Sequence, residues 1–275
     1  MGKLDKSQYT KAQWQAIRNR RRADKKAKSE IVEPAMSAIK PSDEKNYVLC
    51  LKHGTKYDFE YVNRLYNMVK RNLTLDFEFV CITDNTENLH NDIKTIPLPE
   101  GIEGWWCKPY MFNDKLPLNG KILYLDLDVV ISENLDKFFT FRPADWCIIR
   151  DFTRCMRPDW KKYNSSVIRF NSGQLSHLWD TFKRNQHFYQ RKHFGDQDYM
   201  YEIDKSGVYW PDEWVLSWKW EIRRSREFEP GGVRGKRKLR YTEDCTPPKE
   251  CSICVFHGDP NPHNCDDPWV KENWT

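Results

Sequence analysis

The chain's hydrophobic patterning predicts an α/β fold whose sheet has at least partly parallel order. Apolar runs of strand length, "YVLCL", "FEFVCIT" and "IKTIPL", alternate with helical patterns across the first half, as strands joined by crossover helices do. The run "KILYLDLDVVI" at 121–131 is apolar in the manner of a strand buried on both faces. With 275 residues, 39% apolar and 31% charged, the chain can bury a substantial core as a soluble globular protein.

Residues 1–45 precede this pattern and hold 12 Lys or Arg against 6 Asp or Glu, a net of +6, whereas the whole chain sums to +5. The basic excess therefore belongs to the tail. "IRNRRRADKKAKSE" suits a basic helix with Trp14 and Ile17 on one side, and Pro34 and Pro41 mark a linker. A basic, flexible tail over 1–45 is expected, suited to an anionic membrane surface or to nucleic acid, ahead of a single domain over 46–275. No stretch of 18 apolar residues predicts a membrane span. The N-terminus lacks the apolar core of a secretory signal, so a cytoplasmic protein is expected, peripheral on a membrane surface if the tail binds one.

From Tyr47 the elements follow in order. "YVLCL" is the first strand. Tyr61, Val62, Leu65, Tyr66 and Val69 recur at helical spacing. "FEFVCIT" and "IKTIPL" are the second and third strands, and "WWCKPYMFNDKL" fits a helix. "WCIIR" and "SVIRF" are further strands, and "LSHLWDTFKRN" and "DQDYMYEI" are helical. "YWPDEWVLSWKWE" holds four of the 12 tryptophans. Such rings stack on sugars, but core packing is their commoner use, so two of the four are assigned to the core. Trp105 and Trp106 divide the same way. A second basic stretch at 223–240 suits a mobile surface loop or a lid over a phosphate-bearing ligand.

Nine cysteines, several within apolar runs, read as reduced, buried thiols. Cys245, Cys251, Cys254 and Cys265, with His257 and His263 nearby, leave a zinc site open, although the CxxC has no second CxxC behind it.

The 121–131 run carries the main chemical signal. Strand alternation places Asp126 and Asp128 on one side, and two like charges there are costly to desolvate unless a cation or donors offset them. At the carboxyl end of a central strand they would face the crevice where α/β proteins bind ligands. Two carboxylates suit a hard divalent cation that keeps open positions for phosphate oxygens.

Several segments together, in order, resemble the nucleotide-sugar glycosyltransferases of the GT-A fold, in particular their glycogenin-like, retaining branch (glycosyltransferase family 8-like), from about Tyr47 to Trp274. "CLKHGTKY" is similar to the strand end and loop that cradle the nucleoside, which implies donor contacts from Lys52 and base stacking on Tyr57. "WWCKPYMF" resembles the helix bearing a donor-contacting lysine, Lys108. "GKILYLDLDVVISENLDKFF" is similar to the metal-binding segment. "YNSSVIRFN" would place Asn164 near the sugar, and "GDQDYM" would place Asp196 and Gln197 beside it as catalytic residues, although carboxylates at a helix start also serve as caps. "VFHGDPNPH" is similar to the terminal motif whose histidine, His257, completes the metal site with Asp126 and Asp128, and whose Gly258 and Asn261 positions face the donor. The family's lysine is Asn261 in this chain, so Lys219 or the 223–240 stretch is available as a substitute cation.

The resemblance implies a single Rossmann-like domain with a mixed, mostly parallel central sheet flanked by helices. It also implies a Mn²⁺- or Mg²⁺-dependent transfer of a sugar from a nucleoside-diphosphate sugar, a UDP-sugar in particular, to a glycan, protein or lipid-linked acceptor with retention. Two other classes stay open: a haloacid-dehalogenase-like phosphatase, whose hhhhDxDx[TV] pattern "YLDLDVV" matches, and an inactive binding protein acting through the basic tail. About 80 residues of α/β pattern before the motif count against the first.

Overall fold

The computed structural model describes residues 31–34, 43–223 and 245–275; the basic stretch from 224 to 240 and most of the tail lie outside them. Seven strands form the main sheet: β1 (Lys45–Lys52), β2 (Glu78–Thr83), β3 (Lys94–Pro97), β4 (Gly120–Leu125), β6 (Cys147–Arg150), β7 (Tyr163–Asn171) and β8 (Val208–Tyr209). Their order is β3-β2-β1-β4-β7-β6-β8. β7 alone runs against its neighbours, so the sheet is mixed and mostly parallel. β5 (Val129–Ile131), β9 (Val215–Ser217) and β10 (Ile253–Val255) form a second, small sheet in the order β5-β10-β9.

The helix expected from the Tyr61–Val69 spacing is α1 (Phe59–Asn72), which buries Tyr61, Val62, Leu65, Tyr66, Met68 and Val69. Each such burial contributes roughly 1.5–3 kcal/mol, and together they anchor α1 over the sheet. Shorter helices follow: α2 (Asp136–Thr140), α3 (Ser176–Arg184), α4 (Gln186–Lys192), α5 (Asp196–Ile203) and α6 (Pro268–Asn273). No helix among the described residues is long and apolar enough to cross a membrane.

Strand alternation divides the core in two. Val48 and Cys50 of β1 and Leu123 and Leu125 of β4 join α1 and the small sheet on one face. Tyr47, Leu49, Ile122 and Tyr124 join α3, α5 and the segment Gly104–Phe112 on the other. That segment is a 3₁₀ helix rather than the longer helix expected over 105–116; Pro109 inside it denies the backbone an amide donor. Gly120 opens β4 with φ at +132°, where an added Cβ would lie 2.1 Å from the Lys45 carbonyl oxygen, so only glycine fits.

The 121–131 run is not one strand. β4 ends at Leu125, Asp126 to Asp128 form a turn, and β5 then enters the other sheet. The expectation that Asp126 and Asp128 project from one side of a continuous strand is therefore corrected. Part of the presumed tail also docks on the body. Val32 and Glu100 exchange backbone hydrogen bonds of 3.2 and 2.9 Å, and Glu33 pairs with Lys183 and accepts from Asn113 Nδ2 at 3.3 Å.

Seven of the nine cysteines are buried. Cys251, Cys254 and Cys265 lie in the core, and among the described residues no three His, Cys, Asp or Glu side chains group to hold a metal. Of the tryptophan quartet, Trp210 and Trp218 are core residues, while Trp214 and Trp220 are half-buried.

Candidate active site

In the main sheet the order reverses between β1 and β4. The crevice outside the carboxyl ends of those strands is where such sheets bind ligands. Lys52 ends β1 and Asp126 follows the end of β4, so both reach that crevice. The depression of about 480 Å³ lined by Lys45, Glu78 and Lys121 lies at the strands' opposite ends, away from the carboxylates.

Asp126 keeps the parity of Ile122 and Tyr124 and so faces Lys108. Its carboxylate meets the Lys108 ammonium at 2.8 and 2.9 Å and accepts from the Tyr124 hydroxyl at 2.7 Å. Lys108 Nζ also donates to Ser165 Oγ at 3.0 Å and lies 3.7 Å from Asp196 Oδ2. Burial by itself would pull the Lys108 ammonium down, but Asp126 and Asp196 outweigh it and hold it above its ordinary value. Burial raises the Asp196 carboxyl, with Lys108 opposing. Asp196 Oδ2 is buried and has no hydrogen-bond partner. An acceptor left open inside a site is an invitation to a ligand hydroxyl.

An irregularity in β7 provides the platform. The register against β6 jumps between Ile148 and Ile149, so that Ile148 pairs with Ile168 but Ile149 with Asn164. The extra residues aim Ser165 at Lys108, and the Ser166 carbonyl accepts from the Asp126 amide at 2.9 Å. Asn164 braces this bulge, its Oδ1 accepting from Ser166 N–H at 3.0 Å. Gln197 is half-buried in the first turn of α5, next to Asp196.

Asp128 lies across the turn in different company. The Tyr57 hydroxyl donates to its Oδ2 at 2.8 Å, and Phe256 N–H donates to its carbonyl at 2.8 Å. Burial and the nearby Asp126 charge raise the Asp128 carboxyl to about 6. Tyr57, expected to stack on the base, packs tilted on Tyr61 at 4.6 Å, with the Lys56 ammonium 4.4 Å over its ring. Tyr61 in turn hydrogen-bonds His263. Lys52 is buried and donates to the Gly54 carbonyl at 3.2 Å, shaping the loop after β1.

The Phe256–Asp128 bond brings His257 next to the carboxylate turn, but its ring points elsewhere. His257 Nε2 shares a 2.6 Å hydrogen bond with Ser217 Oγ, and the ring stacks 5.5 Å from Phe152. Burial, reinforced by the Lys219 charge, lowers His257 to about 4, so the imidazole is neutral at physiological pH. Asn261 lies in the same terminal loop, its amide donating to Asn264 Oδ1 at 2.7 Å.

The carboxylate pair fits a divalent cation on chemical grounds. Asp128, held up near 6 by burial and like charge, is a deficit that a cation relieves, and each carboxylate offers about four lone-pair sites, not all of them taken. Among the described residues, Asp126, Asp128 and His257 do not form a three-residue metal cluster, and His257 bonds Ser217 instead. Tyr124, Ser165, Ser217 and Tyr61 join the site without having been singled out by the sequence. Only Tyr124, two residues before Asp126 on an alternating strand, carries a usable signal there.

No family model and no curated protein matches this chain in sequence. Solved structures match in fold. The galactosyltransferase LgtC, in complex with donor and acceptor sugar analogues, superposes with a TM-score of 0.54 at 12% identity, over 82% of this chain and 93% of its own. The bifunctional glycosyltransferase WbbM gives 0.55 at 12%, over 86% of this chain and 52% of its own. The glycosyltransferase GlyE of Streptococcus pneumoniae TIGR4, in its apo form, gives 0.55 at 13%, over 84% and 59%. At such identities the likeness is one of architecture: the chain has the GT-A type fold, a single Rossmann-like domain, as these glycosyltransferases do.

Proposed function

We propose that this protein is a glycosyltransferase that moves a sugar from a nucleoside-diphosphate sugar, a UDP-sugar, to an acceptor hydroxyl with retention. The single observation that carries this is the Asp126–Lys108–Asp196 group at the sheet's switch point, in which Lys108 and Asp196 are buried and one carboxylate oxygen of Asp196 is open. An open, buried acceptor beside a fixed ammonium suits a neutral polyhydroxyl group, which donates to the carboxylate and accepts from the lysine.

The transfer exchanges the anomeric carbon's bond to the diphosphate for one to an acceptor oxygen. The electron pair stays on the diphosphate, and the hydroxyl proton leaves to it or to solvent. Lys108 fixes Asp126 and Asp196, and Asp196 orients sugar hydroxyls, with Gln197 and Asn164 at the same rim. The nucleoside lies along the loop shaped by Lys52, with Tyr57 at its base. Asp126 and Asp128, with His257 adjacent, would hold Mn²⁺ or Mg²⁺, which supplies Lewis-acid stabilisation of the leaving diphosphate when bound.

Thermal shift with Mn²⁺ and UDP, separately and together, tests this reading, along with hydrolysis of a nucleotide-sugar panel. Stabilisation that needs both ligands, and turnover of at least one nucleotide sugar, are expected. No response to any nucleotide, or turnover of a generic aryl phosphate instead, overturns the proposal.

A further inference from the structure

Single exposed apolar side chains are ordinary on a protein surface, but a group of them is not. Among the described residues, the large apolar side chains left exposed are Val32, Trp105, Met156, Phe188 and Phe194. All but Met156 fall on one face. Val32 exchanges backbone hydrogen bonds with Glu100, and Gln186 Nε2, at the start of α4, donates to the Gly101 carbonyl at 2.7 Å. Beyond the end of α4, a Cβ on Gly195 would lie 3.7 Å from the Trp105 indole, so the turn that carries Phe194 closes on Trp105. The docked segment, the 100–105 loop and α4 with its following turn therefore make one continuous surface. Phe194 is 78% exposed on it and Trp105 58%, which core packing does not explain.

Charge is just as uneven there. Residues 181–195 contain Lys183, Arg184, Arg191 and Lys192 and no Asp or Glu. Tyr189 packs inward on Tyr199 at 4.7 Å. Phe188, Arg191 and Lys192 are exposed, with the Lys192 ammonium 5.5 Å over the Phe188 ring. Glu33 pairs with Lys183, and Glu202 with Lys192 and His193. Arg184 and Arg191, both exposed, have no ion pair among the described residues. A depression of about 520 Å³ lies between Ile31 and Phe188, lined by Lys183, Arg184 and His187. Residues 1–30 join the body at Ile31, beside this depression. Their sequence holds 10 Lys or Arg against 3 Asp or Glu, a net of +7, so residues 31–275 sum to −2.

Exposed rings interleaved with unpaired arginines suit the interface of an anionic bilayer, where ring tips enter the headgroup layer and cations meet lipid phosphates. A second copy of the chain would set this positive face against itself. A nucleic acid needs a continuous basic track, which the exposed Glu100 and Glu103 interrupt between Val32 and Trp105. We propose that this face, Val32, Trp105, Phe188 and Phe194 with Arg184 and Arg191, docks on a bilayer of anionic lipid. Residues 1–30 add long-range attraction to the same surface. Binding to lipid needs no sugar donor, so the proposal goes beyond the glycosyltransferase reading and stands without it. Asp196 follows Gly195 directly, which sets the Asp196 crevice at the margin of the docked face.

The test is flotation of the full chain with vesicles of equal parts phosphatidylcholine and phosphatidylglycerol, against phosphatidylcholine alone. Wild type should float with the mixed vesicles only. Phe188→Ser with Phe194→Ser should weaken that binding by roughly 10- to 100-fold at low and high salt alike, since the loss is apolar. Arg184→Gln with Arg191→Gln should weaken it by roughly 25-fold at low salt and far less at high salt. Neither pair should change the melting temperature without lipid, because all four side chains are exposed. Wild-type vesicle binding by both double variants would mean that the tail acts without the face, and it overturns the proposal. No flotation of wild type overturns it too, as does single-stranded DNA bound through these residues while vesicles are ignored. A lipid-free dimer that the serine pair abolishes, with vesicle binding untouched, assigns the face to a second copy and also overturns it. Vesicle binding that the variants weaken, in a protein that ignores every nucleotide, sustains the face and defeats the donor reading alone.

Discussion

Replacing Asp128 with Asn should stabilise the metal-free protein, although it removes a residue from the heart of the site. Burial and the Asp126 charge raise the Asp128 carboxyl from 3.8 to about 6, so the folded state takes up its proton more readily than the unfolded chain. Stability from this group is full below about pH 4 and is lost as pH rises through 6. Each pH unit in that window is worth about 1.4 kcal/mol, which bounds the cost of ionised Asp128 near 3 kcal/mol. Because the side chain is only half-buried, screening by solvent reduces this to roughly 1–2 kcal/mol. Asn keeps an acceptor for the Tyr57 hydroxyl and carries no charge. Urea unfolding in a chelator should show Asp128→Asn equal to wild type at pH 4 and more stable by about 1–2 kcal/mol at pH 8. His257, lowered to about 4, contributes in the opposite sense, losing stability as pH falls from 6.5 toward 4, but it is common to both proteins and cancels in the difference. With Mn²⁺ the order should reverse, since only wild type has the full pair of carboxylates to bind the ion. A variant no more stable than wild type at pH 8 without divalent ions would refute the premise that Asp128 is held in electrostatic deficit.

Lys108→Ala leaves Asp126 and Asp196 facing each other across a buried gap and should cost about 3–5 kcal/mol of unfolding free energy. Adding Asp196→Asn should restore a large part of it in a double-mutant cycle read by urea denaturation. Removal of residues 1–34 checks the docked segment. It deletes the Val32–Glu100 pairing and the Glu33–Lys183 contact, and should lower stability by about 1–2 kcal/mol, while turnover of soluble donor and acceptor is unchanged.

The parts of the fold legible in the sequence were those where one force set the pattern. α1 could be read from its apolar period because a single face packs on the sheet. The parallel strands could be read from apolar runs because both their faces are covered. The small sheet could not. Its strands are three residues each, too short for alternation to register, and they come from three distant parts of the chain. With it went the position of Lys219 and the hold of Ser217 on His257. Lys108, Asp126 and Asp196 were each singled out in the sequence, but in separate roles; that they meet was not legible, because it depends on a register jump in β7 that no local composition marks.

The division of the 121–131 run at Asp126 gives the carboxylate pair its two environments. On an unbroken strand Asp126 and Asp128 would share one face and the same neighbours, and each would raise the other with nothing to separate their roles. At the turn, Asp126 retains the parity of Tyr124 and faces Lys108, whereas Asp128 follows Leu127 into the face of α1 and Tyr57. One carboxylate is thus neutralised by a fixed ammonium, and the other is left in deficit. Leu127 makes the break possible: buried at 3% exposure between the two acids, it pins the turn to the core where a polar residue would let it swing into solvent. The apolar residue of the DxD stretch therefore sets the direction of both acids, one toward the Lys108 group and the other toward Tyr57.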